Sequence, residues 1–269
     1  MKVVILGSGT GAVVKDRGYA GIYVRAGGEH LVLDAGPGTL RQLAHLGVTY
    51  LDLDAVFLTH FHPDHCLDLV SILFAMRIPR PAVGSPSAAD TSSAARMVPP
   101  RSRTKPLTVY GPRGLTRLSR RLSTAFQGWI EPRTYRLTLK EIGETTLRLP
   151  GYTIRTKRMR HGTAALGYRV ESGGRSLAYS GDTDVCPQII ELGRRADVLV
   201  LECSMTDELK GAGHLTPSEC GRIAQRAGCR HLVLTHFYPV FQGYDIRRRA
   251  RKAFAGRLTL ARDFATVLL

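Results

Sequence analysis

The residues best suited to chemistry lie in the segment THFHPDH, residues 59–65, which directly follows the apolar run 55–58. Three histidines and one aspartate fall within this segment: His60, His62, Asp64 and His65. Imidazole nitrogen and carboxylate oxygen are ligands that suit zinc and related divalent ions. In an extended loop, the first two histidines point the same way and can hold one ion. The proline turn after them redirects the aspartate and the third histidine, which predicts a second ion beside the first.

Four ligands shared between two ions leave the coordination of both ions incomplete, so further ligands must come from elsewhere in the chain. Three polar residues stand just past the predicted strands 152–159, 175–179 and 231–235: His161, Asp182 and His236. Each of them alone also fits an ordinary core or turn residue. Their equivalent positions, together with a motif that needs partners, favour metal ligation.

The glycine loop GSGTGA, residues 7–12, raises a competing interpretation. It follows an apolar run and fits the pattern G-x-G-x-x-A, with Asp34 further on, as in a dinucleotide-binding unit. However, residues 15–18 interrupt any helix after the loop, and residues 136–179 predict consecutive strands where a doubly wound sheet needs helices. We therefore interpret the loop as a tight strand-end turn close to the metal centre, with Asp34 at the edge of that centre.

Short apolar runs predict many strands, and these do not alternate regularly with helices. The predicted strands are 2–6, 21–26, 30–34, 54–58, 107–110, 136–140, 146–149, 152–159, 166–171, 175–179, 197–202, 231–235 and 264–268. The predicted helices are 39–46, 66–77, 114–126, 187–194, 216–227 and 246–254, of which the fifth starts with the capping-box pattern TPSE. This order predicts an α+β protein whose sheets pack face to face with helices outside.

One segment, residues 77–106, differs from the rest of the predicted single domain 1–269. It is rich in proline, serine and arginine and predicts an insertion without helix or strand. Two interpretations stay open for it. The first is a mobile basic arm over an anionic substrate, and the second is a solvated linker without a function of its own.

Composition sets broader limits on function. The chain has 269 residues, 43% of them hydrophobic, and a formal net charge of +16. This charge favours polyanions such as nucleic acid or phosphorylated metabolites, although a general bias towards arginine gives the same excess. Five cysteines without paired spacing predict buried, reduced thiols. Because no stretch approaches the length of an apolar membrane span, we expect a cytoplasmic protein without membrane contact.

The motif THFHPDH, followed in order by a later histidine, aspartate and histidine, resembles the metallo-β-lactamase superfamily. The segment LVLDAGPGT, residues 31–39, resembles the first motif of that superfamily. The resemblance covers nearly the whole chain and implies an αββα sandwich with a dinuclear site at the sheet edges. It also implies how the ligands are shared: His60, His62 and His161 on one ion, Asp64, His65 and His236 on the other, and Asp182 bridging both.

Within the superfamily, the chain is similar to ribonuclease Z and its phosphodiesterase relatives. The segments ILGSGTGA, SGDT and LTHF match the opening loop, the aspartate motif and the last histidine motif. The segments VLVLECSM and AGHLTPSEC place Glu202 and His214 where that family has a Glu–His pair that assists protonation of the leaving group. The predicted catalytic residues are therefore this pair and Asp64, which orients the attacking water.

The resemblance implies a zinc-dependent hydrolase of ester bonds, in which a metal-activated water attacks phosphorus of RNA or of another phosphodiester. Precursor tRNA is one candidate substrate. The interval between His161 and Asp182 has room for a hairpin only, so the protruding arm and basic loop of ribonuclease Z are missing from it. The alternative function is therefore a hydrolase of small molecules such as cyclic nucleotides, sulfate esters or lactones.

The predicted cofactors are two divalent metal ions, with zinc preferred and manganese or iron as alternatives. The predicted partner is RNA or another phosphodiester substrate, and the resemblance implies a homodimer. A third hypothesis, a nucleic-acid-binding protein without turnover, is disfavoured because the predicted ligand set is complete.

Overall fold

The strands of the computed structural model, which describes residues 1–79, 102–162, 164–267 and 269, form two seven-stranded sheets. The first sheet contains, from edge to edge, β14 (Thr266–Val267), β1 (Lys2–Gly7), β2 (Gly21–Ala26), β3 (Glu29–Ala35), β4 (Ala55–Phe57), β5 (Leu107–Gly111) and β6 (Leu137–Glu141). The second sheet contains β13 (Arg257–Leu260), β12 (His231–Thr235), β11 (Val198–Glu202), β10 (Arg175–Tyr179), β9 (Ala165–Ser172), β8 (Tyr152–Met159) and β7 (Thr145–Leu149).

The α-helices of the described ranges connect these strands and cover the outer faces of the sheets. They are α1 (Thr39–His45), α2 (Pro63–Cys66), α3 (Asp68–Arg77), α4 (Leu115–Ala125), α5 (Pro187–Leu192), α6 (Pro217–Ala227) and α7 (Ile246–Arg251). Helices α1, α3 and α4 pack on the first sheet, and α5, α6 and α7 pack on the second. None of these helices combines the length and the hydropathy that crossing a bilayer requires.

Strand β1 shows how the sequence produces the layers. Its residues Val3 and Ile5 face the apolar layer between the sheets, where Tyr168 of the second sheet also lies. The alternate residues Val4 and Leu6 face the helices on the outer side. A strand with both faces buried needs such an uninterrupted apolar run, because successive side chains point to opposite faces. The layer order confirms the predicted αββα sandwich.

The succession of strands also separates this fold from a doubly wound one. From β6 to β10 the chain forms five strands, and its described residues there contain no helix, as residues 136–179 predict. Two predictions were less accurate. The predicted helix 66–77 corresponds to α3, and the short helix α2 before it was not predicted. Strand β13 was not predicted either, because its sequence RLTL at the edge of the second sheet has a weak apolar pattern.

The insertion predicted for 77–106 lies largely outside the described residues, which omit 80–101. Its described parts carry no helix or strand after Arg77, the last residue of α3. For Arg103 both interpretations of the segment are wrong. Its side chain is 2% exposed, and its guanidinium donates hydrogen bonds of 2.6–2.9 Å to four backbone carbonyls: Tyr50, Leu51, Leu53 and Pro106. This arginine fastens the end of the segment to the domain.

Candidate metal centre

Residues from both sheets meet at the loops that follow strand ends. His60 and His62 lie in the loop after β4, and Asp64 and His65 lie on the short helix α2. From the second sheet, His161 follows β8, Asp182 follows β10 and His236 follows β12. The fold thus brings all seven predicted ligands to one place. Among the described residues between His161 and Asp182, the chain forms the hairpin of β9 and β10, as predicted.

The first group of ligand atoms belongs to His60, His62, His161 and Asp182, and these atoms lie within 4.8 Å of one another. His161 Nε2 is 3.3 Å from His62 Nδ1. Asp182 Oδ2 is 3.7 Å from His60 Nε2 and 3.8 Å from His161 Nε2. These separations leave a space at the centre that one cation can fill.

The second group belongs to Asp64, His65 and His236, again within 4.8 Å of one another. His65 Nε2 lies 3.0 Å from His236 Nε2, and Asp64 Oδ2 lies 3.5 Å from the same His236 atom. The remaining oxygen of Asp182, Oδ1, is 3.2 Å from His65 Nε2. Asp182 therefore turns one oxygen to each group, which is the arrangement that a bridging carboxylate needs.

Within the described part of the chain, two buried polar atoms in this cluster lack hydrogen-bond partners, as expected of atoms that bind metal ions. His60 Nε2 and Asp182 Oδ1 are buried and have no hydrogen-bond partner among the described residues. Burying an unpaired polar atom costs about 1–3 kcal/mol. Imidazole nitrogens and carboxylate oxygens in groups of three or four are a donor set that divalent ions accept. The residues present therefore fit two divalent ions.

The electrostatics of the cluster favour a positive charge at its centre. Burial and the neighbouring His65 lower the pKa of His60 to about 2, so its imidazole is neutral and can offer a lone pair. Burial opposes charge on Asp182 also, yet His236 and His65 hold the pKa of this carboxyl well below its usual range. In turn, burial of His65 is outweighed by Asp182 and Asp34, which raise the pKa of His65. A metal ion can supply the same positive charge.

Asp34 orients a histidine of the first sheet. It is fully buried, and its carboxylate accepts hydrogen bonds from His65 Nδ1 at 2.8 Å and from the Tyr179 hydroxyl at 2.9 Å. It also accepts the backbone N–H of Thr59 at 2.7 Å. Such an outer contact fixes the tautomer and orientation of a ligating histidine and raises its basicity. Asp34 thus lies at the edge of the site, as predicted.

The histidines of the second sheet are oriented by hydrogen bonds from Nδ1 to uncharged groups. His161 Nδ1 donates to the carbonyl of Gly213 at 2.9 Å, and His236 Nδ1 lies 3.0 Å from Ser204 Oγ. The Ser204 hydroxyl in turn donates to Glu202 Oε2 at 2.6 Å, so it is the acceptor for His236. Sequence reasoning missed Ser204, although its position two residues after a strand-end glutamate was a signal of a polar loop at the site.

Glu202 and His214 form the predicted pair. Glu202 ends β11 and is 1% exposed, and its Oε1 lies 3.0 Å from His214 Nδ1. Burial disfavours a charged His214, but the hydrogen bond and charge of Glu202 outweigh burial and raise the pKa of His214. The ring centroids of His214 and His236 are 6.3 Å apart. A histidine whose proton is stabilised by a buried carboxylate therefore lies beside the candidate metal groups.

The glycine loop after β1 lies against the same site. Gly11 N donates to Asp64 Oδ2 at 2.9 Å. The backbone N–H of Phe237, next to His236, donates to the carbonyl of Ser8 at 3.0 Å. The loop is therefore a strand-end turn close to the candidate metal centre, as predicted, and it also contacts residues that follow strands of both sheets.

The backbone at the site is held in uncommon conformations. Asp34 and His236 have φ values of 59° and 61°, in the left-handed region that non-glycine residues rarely adopt and that occurs often at functional sites. Gly181, next to Asp182, has a φ of 57°, and a Cβ at this position would lie 2.7 Å from the Thr59 side chain. Glycine is needed here because the two sheets meet so closely.

One further side chain near the site was not predicted. The ring centroid of Tyr238 lies 6.1 Å from that of His236 and 6.2 Å from that of His214. The aromatic residue in the segment HFYP, directly after a predicted ligand, was the available signal.

Two face-to-face sheets covered by helices, with histidines and aspartates at their edges, define a metallo-β-lactamase fold. Residues 29–237 match the family described as beta-lactamase superfamily domain. The chain therefore belongs to the β-lactamase superfamily, as the sequence motifs imply.

Proteins similar to this chain include two bacterial relatives named ribonuclease Z. That of Nocardia farcinica is 31% identical over 300 residues, with 100% of this chain and 97% of the relative covered. That of Streptomyces coelicolor is 29% identical, with 99% and 97% covered. The chain is thus ribonuclease Z-like in sequence over nearly its whole length.

Solved structures share the fold. The metallo-beta-lactamase fold protein YhfI from Bacillus subtilis is 23% identical and has a TM-score of 0.80, with 99% of this chain and 98% of that chain covered. The short form of human tRNase Z is also 23% identical and has a TM-score of 0.75, with 100% and 99% covered.

Proposed function

We propose that the protein is a metal-dependent phosphodiester hydrolase that acts on RNA. The observation that supports this best is the Glu202–His214 pair beside two groups of candidate metal ligands. This arrangement suits activation of water and protonation of a leaving group at one site. The relatives named ribonuclease Z support RNA as the substrate, and a net charge of +16 suits a polyanion.

Two divalent ions, preferably zinc, with manganese or iron as alternatives, are the proposed cofactors. When bound, such ions supply Lewis acidity and lower the pKa of a water molecule. The first would be held by His60, His62 and His161 and the second by Asp64, His65 and His236, with Asp182 shared by both.

Asp64 and His214 have separate tasks in the proposed reaction. The Gly11 N–H fixes one oxygen of Asp64, so this carboxylate can orient the attacking water. The attacking water gives up one proton to the solvent, its oxygen forms a bond to phosphorus, and the bond from phosphorus to the leaving oxygen breaks. His214 supplies the proton that this departing alkoxide needs at neutral pH. Glu202 keeps the histidine ring oriented and favours its protonated form.

Three substrates separate this function from its alternative: precursor tRNA, bis(p-nitrophenyl) phosphate and cyclic AMP. We expect the protein to cleave precursor tRNA and the nitrophenyl diester, and chelation followed by zinc should abolish and restore both activities. The variant His62→Ala should be inactive, whereas His45→Ala, a change at an exposed histidine outside the site, should keep activity. Cleavage of small diesters alone would favour the small-molecule hydrolase. Full activity of His62→Ala would contradict the metal mechanism.

The remaining expectations concern the state of the protein. All five cysteines are free and buried, as predicted, and this supports a reducing compartment such as the cytoplasm. We also propose that residues 1–269 act as a single domain. The homodimer implied by the resemblance stays a prediction, which sedimentation of the purified protein tests.

A further inference from the structure

We propose that a basic pocket beside the metal centre binds a second phosphate of the RNA strand, next to the phosphate that is cleaved. This proposal rests on the proposed function. The pocket has a volume of about 880 Å³ and is lined by three arginines, Arg113, Arg117 and Arg158. We call it the arginine pocket.

The arginine pocket adjoins the ligand loop. Its lining includes Gly114 and Leu166. The backbone N–H of Leu166 donates to the carbonyl of Thr59 at 2.9 Å, directly before the first candidate ligand. A Cβ at Gly114 would lie 3.5 Å from the ring of Phe61, which stands between the two histidines of the loop. A strand whose cleaved phosphate lies at the metal centre therefore has the pocket within reach of a neighbouring phosphate.

Among the described residues, the three arginines are not held in ion pairs, although the backbone N–H of Thr116 and, less strongly, the charge of Arg113 lower the pKa of the Glu141 carboxyl. All three are exposed, and none forms an ion pair with another residue in the described parts of the chain. By contrast, Arg169 and Arg249 are paired with carboxylates elsewhere on the surface. Guanidinium groups without a carboxylate are available to bind phosphate oxygens, which they do in a bidentate geometry.

Two of the arginines occupy positions that disfavour helix stability. Arg113 lies just before α4 and Arg117 lies in its first turn. The N-terminus of a helix carries a partial positive charge, so cations there are unfavourable. Residues that are unfavourable for the local helix, and that form no compensating contact, are typical of functional sites. We therefore attribute this pair to ligand binding.

One carboxylate also lines the arginine pocket. Glu141 Oε1 accepts the backbone N–H of Thr116 at 2.9 Å, at the start of α4. It occupies the helix end itself, so the arginines are the groups left for an anion. Three guanidinium groups against one carboxylate keep the pocket positive, and a phosphate group matches that charge.

The test compares two substrates that differ in the number of phosphates. Single-stranded RNA carries phosphates on both sides of the cleaved bond, whereas bis(p-nitrophenyl) phosphate has one phosphate only. For Arg113→Ala, Arg117→Ala, Arg158→Ala and the triple variant, we expect kcat/KM on RNA to fall by about tenfold for each arginine that is removed. Activity on the nitrophenyl diester should not change. The slope of log kcat/KM against log salt should decrease by about 0.7 in the triple variant, because one phosphate contact of a single strand is lost.

Two matched variants control for charge and fold. Arg222→Ala removes the same charge from an exposed position of α6, outside the pocket, and should leave both activities unchanged. Arg117→Lys should restore part of the RNA activity, because it keeps the charge but not the bidentate geometry. An unchanged RNA activity in the triple variant, or an equal loss on both substrates, would overturn the proposal.

A direct binding measurement separates this proposal from the proposed function. If the wild-type protein cleaves neither diester, the proposed function fails, and fluorescence anisotropy with labelled single-stranded RNA still tests the pocket. Weaker binding by the triple variant than by Arg222→Ala would support it. Equal binding by both would overturn it.

Discussion

The two sheets contribute to the candidate metal centre in different ways. The first sheet supplies four candidate ligands from one short segment, residues 59–65, after a single strand. The second sheet supplies one ligand after each of three strands, β8, β10 and β12. The first set depends mainly on local backbone geometry. The second set depends on strand register across a whole sheet. We therefore expect substitutions in the two sets to differ in their effects on metal binding and activity.

The outer contacts differ as well. In the first half, His65 is held by a buried carboxylate, Asp34. In the second half, His236 is held by the hydroxyl of Ser204, which continues to Glu202 and from there to His214. The residues from the first sheet therefore mainly orient a candidate ligand. Those from the second sheet also connect the candidate ligands to the proposed proton donor.

The largest expected effect comes from removing ligands of either half. We expect His65→Ala to lower kcat/KM on RNA about a thousandfold or more, above the 10–100-fold typical of outer-shell changes. Asp182→Asn should be at least as damaging, because its two oxygens face both groups. Metal analysis should find one ion missing from the first variant and both ions bound more weakly in the second. Loss of only one ion from Asp182→Asn, with the other bound as tightly as in the wild type, would show that Asp182 is not shared.

Loss of the proposed proton donor should be the next largest effect and should depend on the leaving group. His214→Ala is expected to lower kcat on RNA by about 10²–10³-fold, within the usual range for general acid catalysis. Activity on bis(p-nitrophenyl) phosphate should be much less affected, because nitrophenolate leaves without a proton. Stopped assays of both substrates with one enzyme preparation measure the difference. An equal loss on both would assign His214 to metal binding instead.

The same histidine predicts a pH dependence. A general acid works in its protonated form, so the rate on RNA should fall as pH rises through the pKa of His214. Because Glu202 raises this pKa, Glu202→Gln should move the fall to lower pH. A pH profile of kcat on RNA for the two proteins measures the shift. An unchanged profile would exclude the pair from proton transfer.

Substituting the residues that hydrogen-bond to His65 and His236 tests whether the two sheets orient their histidines with different strength. Asp34→Asn keeps the size of the side chain but loses its charge beside His65, and should cost about 10–100-fold in metal affinity. Ser204→Ala removes a neutral partner of His236 and should cost less, because charge-assisted hydrogen bonds are about twice as strong as neutral ones. Metal titrations of both variants test the order. A larger loss for Ser204→Ala would reverse the assigned roles.

The smallest expected effect is on the free energy of unfolding, with no effect on catalysis. Thr216 and Glu219 form the predicted capping box at the start of α6 in the second half. Thr216→Ala should lower the free energy of unfolding by about 1 kcal/mol and leave kcat/KM unchanged. Denaturant unfolding and the RNA assay measure the two quantities. A loss of activity would show that the helix start also positions His214, two residues before it.

Much of the fold was predictable because its signals are local. Apolar runs of four to eight residues predicted the buried strands, and the pattern TPSE predicted the start of α6. Strand β13 escaped because an edge strand needs no strong apolar pattern. Arg103 escaped for a different reason. A basic residue in a proline-rich segment has the same local pattern whether it is solvated or, as here, buried against four carbonyls.

From the sequence alone we could predict the kinds of candidate ligand and their places after strands, because these follow from residue type and from neighbours along the chain. Tertiary structure alone decided that Asp182 turns an oxygen to each group, and that His236, Ser204, Glu202 and His214 form one connected series. It also placed unpaired arginines beside the ligand loop. These contacts join residues far apart in the chain, so they depend on sheet register and on the packing of two sheets, which no local pattern records.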